Sequence, residues 1–138
     1  MPDIVRYENR HFADVDALWK EAFPDDRSWN AAVTAIPEKM RFQPELMLVA
    51  VEDDTVVGSV MAGYEGHRGW ISRIAVPRSH RKTGLGQALI KAAEDRLAAL
   101  GCVKVNLQVV AGNSGAVEFH KRAGYQIEER ISMAKRLR

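Results

Sequence analysis

The sequence predicts an α/β fold, a mixed central β-sheet flanked by helices, and three observations carry that expectation. The spacing of apolar residues switches along the chain: Val15, Leu18, Trp19, Ala22 and Phe23 recur at helical intervals, whereas Val103, Val105, Leu107 and Val109 alternate with Lys104, Asn106 and Gln108. A strand over residues 70–76, a short glycine loop, a helix over 84–100 and a strand over 103–109 follow one another, an order that makes the two strands parallel through a helical crossover. The 138 residues, 46% of them hydrophobic, suit one domain over 1–138 with a core of its own.

The elements follow in order. Residues 4–7 form a first strand. The apolar stripe from Val15 to Phe23 marks a helix with Asp14 as its N-cap, ended by Pro24-Asp25-Asp26. Val33, Ile36 and Met40 allow a second helix, but Pro37 lacks an N–H and predicts a break near Ile36. Residues 46–52 and 55–64 make a hairpin about Asp53-Asp54, with Gly58 and Gly63 marking bulges or close approach. The strand over 70–76 does not alternate cleanly, since Ile71 and Ala75 are apolar beside Ile74 and Val76. It is buried on both faces or phase-shifted by a bulge. Leu85, Leu89, Ala93, Leu97 and Leu100 line one side of the long helix, which Gly101 stops. Asn113 or Ser114 caps a short helix whose inner face is Ala116, Phe119 and Ala123, and Gly124 ends it. Residues 125–131 and 132–137 are expected as closing strands.

Composition narrows the function classes. With 20 basic and 18 acidic side chains the net charge is +2, too balanced to point to nucleic acid or an anionic membrane as partner. The single cysteine, Cys102, excludes an intrachain disulfide and a cysteine-rich metal site, so no metal is expected, and its apolar context fits a structural thiol. No basic segment followed by an apolar run opens the sequence, and the longest apolar run is too short to span a bilayer. A cytoplasmic location is the expectation.

The stretch Arg81-Lys82-Thr83-Gly84-Leu85-Gly86 joins the strand to the long helix. The first turn of a helix carries N–H donors without partners, the macrodipole adds positive charge there, and glycine lets an anion approach the backbone. Arg81 and Lys82, with Arg78 and His80 upstream, add mobile positive charge. A phosphate-bearing ligand fits, and so does a plain tight turn with a solvated basic face. Neither G-x-G-x-x-G nor G-x-x-x-x-G-K-[ST] is present.

Arg81-x-x-Gly84-x-Gly86, after a strand ending in Ile74-Ala75-Val76, resembles motif A of the GNAT superfamily of N-acetyltransferases. Asn113-x-x-Ala116-x-x-Phe119-His120-Lys121-Arg122-Ala123-Gly124-Tyr125 resembles a second motif of that family, in its order and at its usual separation. Gly63-Tyr64-Glu65-Gly66-His67-Arg68-Gly69 is similar to the same stretch of small bacterial YpeA-like acetyltransferases. The resemblance implies a bulged strand splayed from its parallel neighbour, leaving a slot for the pantetheine arm of acetyl-CoA. The backbone of Ile74, Ala75 and Val76 would face that arm. Arg81, Lys82, Thr83, Gly84, Leu85 and Gly86 would bind its diphosphate, and Arg78 would reach the adenosine phosphate or remain a free surface arginine.

The implied reaction moves an acetyl group from acetyl-CoA directly to a primary amine. It needs a proton acceptor for the amine, an N–H donor for the oxyanion and a proton source for the thiolate. His120 stands where the family places a tyrosine acid. It is either that acid or a core histidine bonded to backbone. Glu65 is the candidate base or an exposed turn carboxylate, and Tyr64, His67 and Arg68 line the acceptor side or are solvated. Asn113 contacts the pantetheine amide, caps its helix, or does both. The acceptor is open: an unidentified amine, or a protein α-amine or lysine as in ribosomal-protein acetyltransferases, for which only Asp25, Asp26, Glu38 and Glu45 supply acid in the variable region. A non-catalytic acyl-CoA-binding module is the reading from another class, and a homodimer is compatible with each.

Overall fold

In the computed structural model, which describes residues 1–138, contacts divide the chain into two units, Met1–Gln108 and Val109–Arg138. The first unit is a five-stranded sheet in the order β1-β2-β3-β4-β5. Its strands are β1 (Asp3–Arg6), β2 (Met47–Glu52), β3 (Thr55–Tyr64), β4 (Arg68–Ala75) and β5 (Lys104–Asn106). The first four pair antiparallel, and β4 with β5 is the parallel pair. Helices α1 (Phe12–Ala22) and α2 (Ala32–Arg41) precede β2, and α3 (Leu85–Ala99) forms the crossover between the parallel strands.

Alternation along β2 decides what each sheet face buries. Leu48 and Ala50 join Leu85, Leu89, Ala93 and Leu97 of α3 in one cluster, while Met47 and Val49 join Val15, Leu18, Trp19 and Ile36 of α1 and α2 in the other. The β2–β3 hairpin turns on Asp53 and Asp54, both left-handed at φ 50° and 61°, the geometry whose twist matches that of paired strands. Between Ala50 and Val51 the register slips by one residue, and Gly58 lies at the slip. A Cβ there would sit 2.9 Å from Leu89 Cδ1, so glycine is what lets α3 lie close to β3. Helix α3 ends as expected, with Gly101 at φ 96° and bonds from Gly101 N to the Ala98 carbonyl and from Cys102 N to the Leu97 carbonyl.

Four expectations are corrected. Helix α2 runs unbroken through Pro37. The one hydrogen bond proline cannot make frees the carbonyl of Val33, an exposed residue, while Ile36 beside it is buried in the α1–α2 cluster. Asp14 is not the cap of α1. A 3-10 turn over Asn9–His11 starts the helix early, with a reciprocal Glu8–His11 capping box, and the Asp14 carboxylate instead accepts from Val56 N at the end of the hairpin. Strand β5 is only three residues long, because its ladder with β4 stops at the Trp70–Asn106 pair. No strand forms over residues 125–137, where Ile127, Ile131, Met133 and Leu137 are exposed: alternation is necessary for a strand, but a ladder partner completes it.

The second unit is built on α4 (Ser114–Arg122), whose N-cap Asn113 accepts from Ala116 N at 3.1 Å and whose end is marked by Gly124 at φ 98°. No helix is long and apolar enough to cross a membrane.

Candidate active site

The site begins at a defect in β4. Opposite the two-residue step from Ser59 to Met61, β4 spends three residues, Ser72 to Ala75, and the extra residue is a bulge. Arg73 takes the left-handed backbone at φ 55°, a conformation that β-carbon sterics disfavour. The bulge explains the unclear alternation in the sequence: Gly69 and Ile71 face the α3 side, Trp70 is outward, and past the bulge Ala75 belongs to the α1–α2 cluster. Since β5 pairs only with Arg68–Trp70, the two parallel strands stay zipped at one end, and the ladder between them is absent along the bulged half.

The chain then enters the glycine loop. Gly84 is the N-cap of α3 at φ 87°, and no side chain caps the first turn. The nearest hydroxyl, Thr83 Oγ1, donates to the His80 carbonyl at 2.5 Å instead. A Cβ on Gly84 would meet nothing within 4 Å, so the backbone there opens onto free space. Lys82 is also left-handed, at φ 62°, and Arg81 Nε donates to the Val76 carbonyl at 3.3 Å, tying the guanidinium to the end of the bulged strand. Two carboxylates hold the loop from outside: Glu52 Oε1 lies 2.8 Å from His80 Nε2, and Glu21 accepts from Arg78 N at 3.3 Å. These residues fit a phosphorylated ligand: open main-chain donors, a helix dipole and two cations, with hydroxyl and carboxylates turned elsewhere.

The other predicted residues are placed as follows. Ile74, Ala75 and Val76 lead directly from the bulge to the loop, with Ala75 paired to Ser59 of β3. Glu65 is in the β3–β4 hairpin, where its N–H donates to the Arg68 carbonyl and its exposed carboxylate lies 3.5 Å from Arg68. The loop of Arg81 follows the opposite end of β4, roughly 25 Å of strand away at 3.3 Å per residue. Arg68 itself is five residues, about 15 Å of strand, from Arg73 at the bulge. In the second unit, His120 is partly buried. Its ring contacts Phe119 and Tyr125 edge-on, at centroid distances of 5.1 and 5.9 Å, and its Nδ1 is buried without a hydrogen-bond partner. Burial lowers its pKa below the ordinary histidine value. This is not a core histidine bonded to backbone. Asn113 spends its side-chain oxygen on the helix cap.

Sequence reasoning missed Arg73. The available signal was a lone cation inside an apolar strand, which has to find partners when the strand is buried. It found Asp26, whose two oxygens lie 2.9 and 2.8 Å from its Nη2.

The acetyltransferase (GNAT) family matches residues 8–125, across both units. An acetyltransferase of Yersinia pseudotuberculosis is 36% identical over 137 residues, covering 98% of this chain and 95% of that one. One of Pectobacterium atrosepticum is 37% identical over 135 residues, with the same coverage. Among solved structures, an aminoglycoside acetyltransferase, AAC(6′)-Iy, in complex with a bisubstrate analogue, CoA-S-monomethyl-acetylneamine, shares the fold at a TM-score of 0.78 and 18% identity, over 99% of each chain. The chain belongs to the acetyltransferase (GNAT) family and is an acetyl-CoA-dependent N-acetyltransferase acting on an amine.

Proposed function

We propose that residues 1–138 act as one N-acetyltransferase domain in which the Arg81–Gly86 loop and the first amides of α3 hold the diphosphate of acetyl-CoA. The backbone of Ile74, Ala75 and Val76 faces the pantetheine arm. The observation that carries this reading is the sequence of a bulged strand unzipped from β5, a glycine N-cap left open, and Arg81 and Lys82 beside it. In the reaction the acceptor nitrogen bonds to the thioester carbonyl carbon, the carbon–sulfur bond breaks, and the proton lost by nitrogen ends on the coenzyme thiol. Main-chain N–H groups of the bulged strand suit the transient oxyanion.

His120 acts at the sulfur. Because burial lowers its pKa, the imidazole is neutral at neutral pH; it gives the proton of one ring nitrogen to the departing thiolate as its other nitrogen takes, through water, the proton lost by the acceptor nitrogen. No imidazolium is consumed, so the rate does not fall as pH rises through about 6.5. Glu65, paired with Arg68 in the hairpin, is the candidate base for the amine before it attacks, directly or through water.

Release of thiol from acetyl-CoA across a panel of amines (phenethylamine, spermidine, neamine and a short peptide with a free α-amine) tests the function and sorts small from peptide acceptors. His120→Phe should lower kcat by on the order of 100-fold with the KM for acetyl-CoA unchanged, and Glu65→Gln should lower kcat by about tenfold or more. An unchanged kcat in Glu65→Gln would take the base role from that residue, and no thiol release with any amine would refute the function.

A further inference from the structure

The bulge of β4 and the connection between α1 and α2 are joined by one side chain. The guanidinium of Arg73 lies over two rings, 5.0 Å from the centroid of Trp19 and 4.5 Å from that of Phe23. Its Nη2 donates to both oxygens of Asp26 and, at 3.0 Å, to the carbonyl of Asn30. The side chain is only 13% exposed and that of Asp26 22%. The backbone of the same residue is held too: its carbonyl accepts from Ser59 Oγ, which accepts from Trp19 Nε1, each at 2.9 Å. A left-handed arginine in a strand persists only when its surroundings over-determine it, and these contacts do so. Asp26 and Asn30 belong to residues 23–31, and Trp19, Phe23 and Asp26 also line an open cavity of about 320 Å³ with Ser28, Ala31 and Ala32.

We propose that Arg73 is a positioning residue for acetyl transfer: it clamps the α1–α2 connection to the bulge, and so fixes where an acceptor amine meets the thioester lying along β4. This rests on the function proposed above. The clamp suits arginine alone, because a planar fork can stack on two rings while donating to a carboxylate and a carbonyl, and an ammonium cannot. If the guanidinium served only to hold the fold, its loss would reduce the amount of native protein. As a positioning group it acts on the amine and leaves the diphosphate loop, Arg81 to Gly86, intact.

The test compares wild type with Arg73→Lys and Asp26→Asn, using phenethylamine and spermidine as acceptors and hydroxylamine as a nucleophile small enough to need no pocket. Expected is a rise of tenfold or more in the KM for the amine in both variants, with acetyl-CoA affinity by calorimetry within twofold of wild type. Amide exchange over residues 23–31 should quicken tenfold or more, and that over α3 should not. The double variant should be no worse than the poorer single one, because the two changes break one contact. Arg73→Gly, which frees the backbone but removes the clamp, should behave as Arg73→Lys does. Unchanged amine KM, unchanged exchange over 23–31, or equal losses in amine and coenzyme parameters would each overturn the proposal while wild type stays active. A wild type inactive with all three nucleophiles would refute the underlying function, and the clamp's catalytic role with it.

Discussion

Replacing Arg81 and Lys82 together by alanine is expected to weaken acetyl-CoA binding on the order of 100-fold, from the usual strength of two hydrogen bonds to a charged group. Both side chains are exposed, and neither is committed to an ion pair with a carboxylate. Arg81 is anchored only to the Val76 carbonyl, which orients it without neutralising it. Alanine at both sites removes the charge and leaves the amides of α3 in place, so residual binding should persist and should depend less on salt than that of wild type. Calorimetry at two ionic strengths measures both effects. Since the loop contributes nothing to either core cluster apart from Leu85, thermal stability should be unaffected. Full affinity in the double variant would remove the loop from the coenzyme site.

Trp19→Ala is expected to destabilise the protein by about 3–5 kcal/mol, the usual range for emptying a buried aromatic site. Trp19 is 2% exposed in the α1–α2 cluster. Its loss opens a cavity, deprives Ser59 Oγ of its donor and takes one ring from beneath Arg73. For a chain of this size the midpoint of thermal unfolding should fall by roughly 10 °C or more. Trp19→Phe separates the contributions: it keeps most of the volume and loses the indole N–H, so it should cost about 1 kcal/mol. A calorimetric scan of the three proteins decides, and equal losses for the two variants would show that the hydrogen bond outweighs packing.

The parts of the fold legible in the sequence were those fixed by local chemistry. Leu85, Leu89, Ala93 and Leu97 announced α3 and the face it buries, Gly101 its end, and Asp53-Asp54 a hairpin turn. What could not be read depended on partners distant in sequence. Asp14 had the chemistry of an N-cap, yet its carboxylate went to Val56, 42 residues away. Pro37 obeyed its local rule in losing a hydrogen bond, and burial of Ile36 outweighed the loss. Residues 125–137, expected as closing strands, have no ladder to join. The bulge was expected, but not that an arginine would occupy its left-handed position, because the rings and carboxylate that hold Arg73 come from α1 and the connection after it.

The loop's make-up was legible, basic and glycine residues before a helix, and the structure adds that Gly84 is an N-cap with no side-chain bond. The placement of Glu65 was not, since its position relative to the bulge depends on the length and register of β4.

The central claim is that the coenzyme's diphosphate rests on the main-chain amides where α3 begins. Backbone amide hydrogen exchange with and without saturating acetyl-CoA measures those groups directly. The expected result is strong protection confined to residues 82–88 and the end of β4, retained in part by the Arg81→Ala, Lys82→Ala variant. Binding of acetyl-CoA with no change in exchange over residues 82–88 would contradict it.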